Sequence, residues 1–381
     1  MEDKKQRLMM FTSLYVVQGV GLAYFRNFQK PYLDGLGISP DSIGLLTFIL
    51  QVPFILKIFI GIISDRVNLF GAGHRKPYII LGLFLAAVSF SSAYLIIPAD
   101  NFMLFAVVIT IGSFSVTLFD STADGLAIDI TPRNEQGTVQ GMMVGGRATA
   151  FILLSLLFGV LVQAVGYQVV FPFIGLSMLV PLIWVWKIPR NIHTNQTQRF
   201  QWAAFNELGK PKFLLFALYA VVYSIGSFGV DGLVTYFLSD QLQAVESAIG
   251  QYGALRGLGA LVGAVGGGLL VDRISRKMNA FAAALLITIG AILFGISSAI
   301  PVVVWLGLVW GIFWAFQETV FFALAMDVAD HRIAASMFAI MMGISNLGSA
   351  VADGAATALS DDYSFSTVFI ALGLVNFLTI P

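Results

Sequence analysis

The sequence predicts an all-α membrane protein of about twelve transmembrane helices arranged as two pseudo-symmetric six-helix bundles. Three observations predict it. The chain is 58% hydrophobic and only 11% charged, with a mean hydropathy of +0.86. A soluble domain carries roughly 25% charged residues, so a chain this apolar is bathed in lipid. The apolar residues fall into runs of about 20, the length that crosses a bilayer as helix, without the period-2 alternation of a β-barrel. Finally, one loop occurs twice. Gly61-Ile-Ile-Ser-Asp65-Arg66 is followed by His74-Arg75-Lys76-Pro77, and Gly268-Leu-Leu-Val-Asp272-Arg273 by Arg276-Lys277. Each copy lies between two apolar runs, which makes the chain an internal duplication in a membrane.

The apolar runs place spans at 9–33, 42–63, 77–97, 102–128, 138–164 and 167–187, then at 212–238, 248–271, 279–299, 301–326, 335–358 and 365–381. The last is short and reads as truncated. Residues 1–189 form the N-terminal bundle, 190–211 an inter-bundle loop and 212–381 the C-terminal bundle. Phe200 to Leu208 in that loop reads as amphipathic and membrane-surface bound. Further traces of duplication support the division. Leu126-Ala-Ile-Asp129 matches Leu324-Ala-Met-Asp327, and the same offset pairs Asp120 with Glu318. Ile43-Gly44 and Ile249-Gly250 open corresponding spans. Gly253-x3-Gly257, Gly259-x3-Gly263-x3-Gly267 and Gly141-x3-Gly145 read as helix-packing faces.

Orientation follows from Lys and Arg. With the N-terminus inside, 16 of the 21 basic residues fall in inner segments, and Lys30 alone lies in an outer loop. Both termini are therefore expected in the cytoplasm, in an inner or plasma membrane. The sequon Asn195-Gln196-Thr197 then lies on the wrong side to be glycosylated. Net charge is zero, which gives no reason to expect nucleic acid, and cysteine is absent. Met1 to Arg7 is short and polar and shows no leader cleavage site. His74, His193 and His331 all fall in inner loops, so neither a metal site nor any cofactor is expected.

The chemistry must come from charges inside the membrane. Each costs at least roughly 2.5–3.5 kcal/mol at mid-bilayer, so each needs a partner or a wet environment. The bases are Arg26, Lys57, Arg147 and Arg256; the acids are Asp120, Asp124, Asp231, Glu318 and Asp353 near the end of its span. Asp120 and Asp124 are four apart and share a helix face. Two close carboxylates repel, which suits one of them to hold a proton. Arg147 on the next span is expected to pair with either, as a lock, a coupling device or both. Arg26 and Asp231, at corresponding places in spans 1 and 7, read as an outer-gate ion pair or as an anion site. Arg256 has Glu318 or Asp231 as possible partners, and Lys57 can snorkel inward. The arginines suit an anionic solute because the guanidinium donates two parallel hydrogen bonds. Expected substrate contacts are thus Arg26, Arg147, Arg256, Asn346, Tyr24 and Gln317; the polar and aromatic ones read equally as packing. Expected proton-coupling acids are Asp120, Asp124, Glu318 and Asp231. Expected gating residues are Asp65, Arg66, Arg75, Lys76, Asp272 and Arg273.

With its G-x-x-x-D-R loop and following basic pair, repeated between spans 8 and 9, the chain resembles the major facilitator superfamily over its whole length. The first copy is lengthened by Val67 to Gly73. The resemblance implies that Asp65 caps and salt-bridges neighbouring helix ends to hold the inner side closed. Val52-Pro53-Phe54-Ile55-Leu56-Lys57, Asp65-Arg66 and Arg75-Lys76-Pro77-Tyr78 look like the folate–biopterin transporters, muropeptide permeases and acetyl-coenzyme A transporters. The Arg/Lys-Pro-Tyr string is also similar to the glycoside–cation symporters, but Lys57 stands where those carry an acidic cation site.

Together these observations predict a secondary transporter, a monomer in membrane lipid, that moves an anionic or zwitterionic small-molecule substrate with protons by alternating access. A non-transporting assembly factor or receptor on the same fold would instead pair off its buried charges. A lipid flippase would have apolar lateral walls. No nucleophile–base pair or metal motif points to an enzyme.

Overall fold

A computed structural model describes residues 4–71, 73–132, 135–188, 206, 209–329 and 334–379; within these, the side chains of Asp65, Phe70, Asp272 and residues 334–336 lie outside the description. So do Asn195, His193, His331 and, apart from Asn206, the expected surface segment Phe200 to Leu208. Regular structure among the described residues is entirely helical. The helices are α1 (Lys4–Asn27), α2 (Gln29–Asp34), α3 (Pro40–Ile55), α4 (Lys57–Arg66), α5 (Lys76–Ala93), α6 (Phe102–Ile130), α7 (Gln136–Val165), α8 (Val170–Ser177), α9 (Leu182–Val185), α10 (Pro211–Asp240), α11 (Glu246–Arg273), α12 (Arg276–Ile296), α13 (Ile300–Val328), α14 (Ala334–Asp362) and α15 (Phe365–Asn376). Among the described residues, ten stretches of helix are long and apolar enough to cross a membrane. The 29-residue α14 and the shorter α15 stand where the last two spans are expected.

Three expected spans are broken, and proline explains each break. Pro31 has no N–H to donate to the Asn27 carbonyl, and α1 ends at Asn27 before the turn at Phe28. Pro53 cannot donate to Ile49, and two residues later α3 gives way to α4 at Leu56. Pro181 cannot reach Ser177, where α8 ends. Polar caps fix other starts. Asn101 accepts from the Leu104 N–H and Ser275 from the Met278 N–H.

The chain forms two compact units: residues 1–25 with 56–200, and residues 26–55 with 201–381. Chain order alone places residues 26–55 with the first half. The cuts fall beside the breaks at Phe28 and Leu56, so the proline-weakened points separate each span into two parts.

In the first unit, small residues let helices meet backbone to side chain. A Cβ on Gly82 of α5 would run into Phe119 and Ser115 of α6, and one on Gly175 of α8 into Ser91 and Ala87 of α5. The α1–α7 contact uses Gly19 and Gly146. Gly141 and Gly145 were the expected packing pair, but they have nothing within 4 Å of where a Cβ would stand. In the second unit the expected α11 stripe does pack. Gly259, Gly263 and Gly267 lie against Leu308, Ile312 and Phe316 of α13. Gly44 of α3 meets the Gly354 carbonyl of α14 so closely that neither position has room for a side chain.

Candidate functional site: three buried charge clusters

The first cluster lies in the first unit. The break at Leu56 puts Lys57 at the first position of α4, and its ammonium bridges two carboxylates of α6. It donates to Asp120 Oδ2 at 2.6 Å and to Asp124 Oδ2 at 2.7 Å. The Ser121 hydroxyl donates to the Lys57 carbonyl at 3.2 Å, tying α6 to the start of α4. The Tyr15 hydroxyl of α1 donates to Asp124 Oδ1. The Asp120 side chain is 4% exposed, whereas Asp124 and Lys57 are 35% and 33% exposed. One acid is therefore sealed and the other is open. The Arg147 guanidinium of α7 lies over the Tyr15 ring, 5.6 Å from its centroid.

This differs from the expected pairing of Arg147 with Asp120 or Asp124. Lys57 takes both acids because the kink aims its flexible stem back at α6, so it does not snorkel away from them. Among the described residues no carboxylate lies at ion-pair distance from Arg147. A cation stacked on a tyrosine face gains about 0.5–2 kcal/mol and keeps its donors available.

The second cluster lies in the second unit and is closed. Arg256 of α11 grips Asp231 of α10 with two parallel bonds, Nε to Oδ1 at 2.9 Å and Nη2 to Oδ2 at 2.8 Å. Trp310 Nε1 of α13 adds a third donor to Oδ1 at 2.9 Å, and the guanidinium lies 4.2 Å from the Trp314 ring centroid. Asp231 is thus hydrogen-bonded to Arg256, which reaches both carboxylate oxygens, while Arg26 acts on it electrostatically. Glu318 of α13 is near enough to act electrostatically on Arg256 and Tyr223.

The third cluster centres on Asp353 of α14, which Arg26 reaches at 3.5 Å. The remaining expected contacts are engaged or packed. Gln317 is buried in a chain with Ser227 of α10 and Asn376 of α15. Asn346 donates to the Phe54 carbonyl at 3.2 Å. Tyr24 is wholly buried, edge-on to Phe171 and Phe25.

At the ends carrying the repeated loop, Arg75 pairs with Asp129 at 2.9 Å and donates to Ser64 Oγ at 3.0 Å. Arg276 pairs with Asp327 at 2.9 Å and donates to the Val271 carbonyl. Asp129 and Asp327 were not among the expected gating residues. Their signal was present, since both close the repeated Leu-Ala-x-Asp string. Lys76 caps the Trp186 and Ile188 carbonyls. Arg66 and Arg273 are exposed, and the side chains of Asp65 and Asp272 lie outside the described residues.

Long apolar helices and a duplicated loop with matching ion pairs define a multi-pass membrane protein. The sequence model of the Major Facilitator Superfamily matches residues 8–352, and the chain belongs to that superfamily. The proteins it matches are transporters, not enzymes. The chain is 30% identical to the folate-biopterin transporter of Synechocystis sp. over 184 residues, 47% of this chain and 35% of that one. The matched stretch thus spans about a third of the cyanobacterial protein. It is 24% identical to "Putative folate transporter 2" of Plasmodium berghei, covering 91% of this chain and 81% of that one. The solved structure of the nucleoside transporter NupG superposes with a TM-score of 0.74 at 14% identity, covering 100% of this chain and 98% of that one.

Proposed function

We propose that the protein is a secondary active transporter that moves an anionic or zwitterionic organic solute by alternating access, in symport with protons. The observation that carries this reading is Arg147, a cation set within a span whose donors are not held by a carboxylate, beside the half-open pair Lys57 and Asp124. An incoming carboxylate or phosphate competes with Asp124 for Lys57 and Arg147. The displaced Asp124, next to the sealed Asp120, then takes a proton, because two adjacent carboxylates sharing fewer cations do not both stay ionised. Solute and proton are thus held together, which is the requirement of symport. Asp231 is less suited to this role, since three donors already hold it.

The excess of Lys and Arg on one side supports cytoplasmic termini in an inner or plasma membrane. The names of the relatives make folates and biopterin the first solutes to test. A non-transporting protein on the same fold is the second reading, favoured by the pairing of Asp231 with Arg256 and of Lys57 with both acids.

The test is a thermal-shift screen of the purified protein against folates, pterins and other anionic metabolites, with Arg147→Ala alongside. A specific ligand stabilises by mass action, about 2.7 kcal/mol at a hundred times its Kd. The expected result is a stabilising anion whose effect is lost in Arg147→Ala. No response to any anion, or an undiminished response in the variant, favours the non-transporting reading.

A further inference from the structure

In the second unit two separate rings attend the acid and the cation, and the ion pair forms between them. Trp310 donates to Asp231, Trp314 lies against the Arg256 guanidinium, and Arg256 grips Asp231. In the first unit one ring attends both. Tyr15 of α1, which the sequence does not single out, donates its hydroxyl to Asp124 Oδ1 and carries the Arg147 guanidinium over its face. The phenol has the acid at its hydroxyl and the cation on its ring, so it stands between the two.

Packing fixes the backbones around it. A Cβ on Gly19 of α1 would overlap the Arg147 carbonyl, and Gly146 of α7 lies against Thr12 and Val16. α1 and α7 are therefore in close contact before and after Tyr15, whose own side chain is buried. The place of Arg147 on α7 is set by this contact, and only its side chain is left to choose between the ring and an acid. Arg147 is near enough to act electrostatically on Asp120 and on Tyr15. Asp120 is sealed beside Lys57, whereas Asp124 is open.

We propose that Tyr15 is a positioning residue that keeps Arg147 off Asp124, and so keeps the cation of the solute site available, on the reading of Arg147 as an anion site. A guanidinium close to a carboxylate closes a two-bond fork on it when both oxygens can be presented, as Asp231 presents them. Tyr15 denies Arg147 that geometry, because its hydroxyl occupies Oδ1 while Lys57 occupies Oδ2. Its ring also gives the guanidinium a seat, since the quadrupole attracts a cation without engaging its N–H groups. An arriving carboxylate or phosphate then meets a charge that no protein acid has neutralised. Without the hydroxyl and the ring, the fork closes on Asp124 and the protein's own acid fills the site.

The test reads Arg147 itself and needs no solute. Phenylglyoxal condenses with the two terminal nitrogens of a guanidine, and a carboxylate fork across them slows it. Purified protein in lipid nanodiscs is treated at a single pH. Modification of Arg147 is followed by peptide mass spectrometry, relative to the exposed Arg273 of the same molecule. Tyr15→Leu keeps an apolar side chain but has neither hydroxyl nor ring. Its Arg147 should react about tenfold more slowly than the parent's, equivalent to about 1.4 kcal/mol in favour of the ion pair. Tyr15→Phe keeps the seat and should stay within about threefold of the parent. Adding Asp124→Asn to Tyr15→Leu should bring the rate back, since an amide is no counter-charge. A merely structural role predicts the opposite sign, because loosened packing exposes Arg147 and speeds its modification. Tyr15→Leu reacting at the parent rate or faster overturns the proposal, and so does a slow rate that Asp124→Asn does not relieve. If Tyr15→Leu does not fold, Asp124→Asn alone decides. With Tyr15 in place its Arg147 should stay within about threefold of the parent rate; a clear acceleration means that Asp124 already holds Arg147, and overturns the proposal. Failure here leaves the thermal-shift result with anionic solutes standing, and failure to find a stabilising solute leaves the Arg147 rates standing.

Discussion

The Lys57 cluster of the first unit and the Arg256 cluster of the second use the same ingredients to opposite ends. At Arg256 a planar fork meets a carboxylate in two parallel bonds, an indole supplies a third, and an aromatic ring covers the cation. Both oxygens of the Asp231 carboxylate are held by protein donors, so the cluster joins α10, α11 and α13 as a structural tie. At Lys57 one ammonium is shared by two acids, one of them a third exposed, and a nearby arginine rests on a ring instead of a carboxylate. That arrangement is incompletely satisfied, and a solute anion or a proton can change it. The difference teaches that charge within a span does not by itself mark function; the fraction of bonding capacity left unused does.

The contrast breaks most visibly on removing Arg256. Arg256→Ala leaves Asp231 buried with a single donor and should cost about 3–5 kcal/mol of stability, the usual result of halving a buried ion pair. Thermal unfolding of the detergent-solubilised variant checks it. A melting temperature within a degree or two of the parent would mean that the tie is not structural.

A smaller effect is expected at Lys57. Lys57→Met removes the shared cation, but Asp124 is partly open to water and Arg147 is close by, so a loss of about 1–3 kcal/mol is expected. Adding Asp120→Asn should restore part of that loss, because the sealed acid no longer needs a counter-charge. A double-mutant cycle reads the coupling directly. Additive losses would show that Lys57 and Asp120 do not act as a unit.

Asp34, at the end of α2 outside the spans, sharpens the comparison because its charged neighbour is another acid. Burial and the nearby Asp240 carboxylate push it up to about 6 from the ordinary 3.8, against a lowering by Ser239. The folded protein then binds more protons than the unfolded chain between those two values, so stability falls as pH rises across that window and levels off above it. Asp34→Asn should flatten this part of the melting-temperature profile. An unchanged slope would assign it to other groups.

Much of the fold is legible in the sequence because lipid imposes length and apolarity on every span, and because duplication repeats its loop. The breaks are legible in retrospect from Pro31, Pro53 and Pro181, but a hydropathy run does not register a missing N–H. The site was less legible. Reading Arg147 against Asp120 and Asp124 rested on depth along adjacent spans; depth does not specify which side of a helix faces which neighbour. Lys57 won both acids through a kink that aims its stem. Arg26 acts on Asp231 electrostatically, yet a bidentate partner on α11 is the one that holds it. Asp129 and Asp327 were visible as the ends of a repeated string, but nothing in the string says that each meets an arginine from the loop.

The central claim is that the open acid of the Lys57 cluster couples solute to protons. It is tested most directly by solute accumulation in proteoliposomes under an imposed pH gradient, comparing the parent with Asp124→Asn and measuring counterflow exchange in parallel. The account predicts that the variant loses uphill accumulation yet keeps exchange, because the amide stands permanently for the protonated acid. Accumulation by Asp124→Asn equal to that of the parent would contradict it.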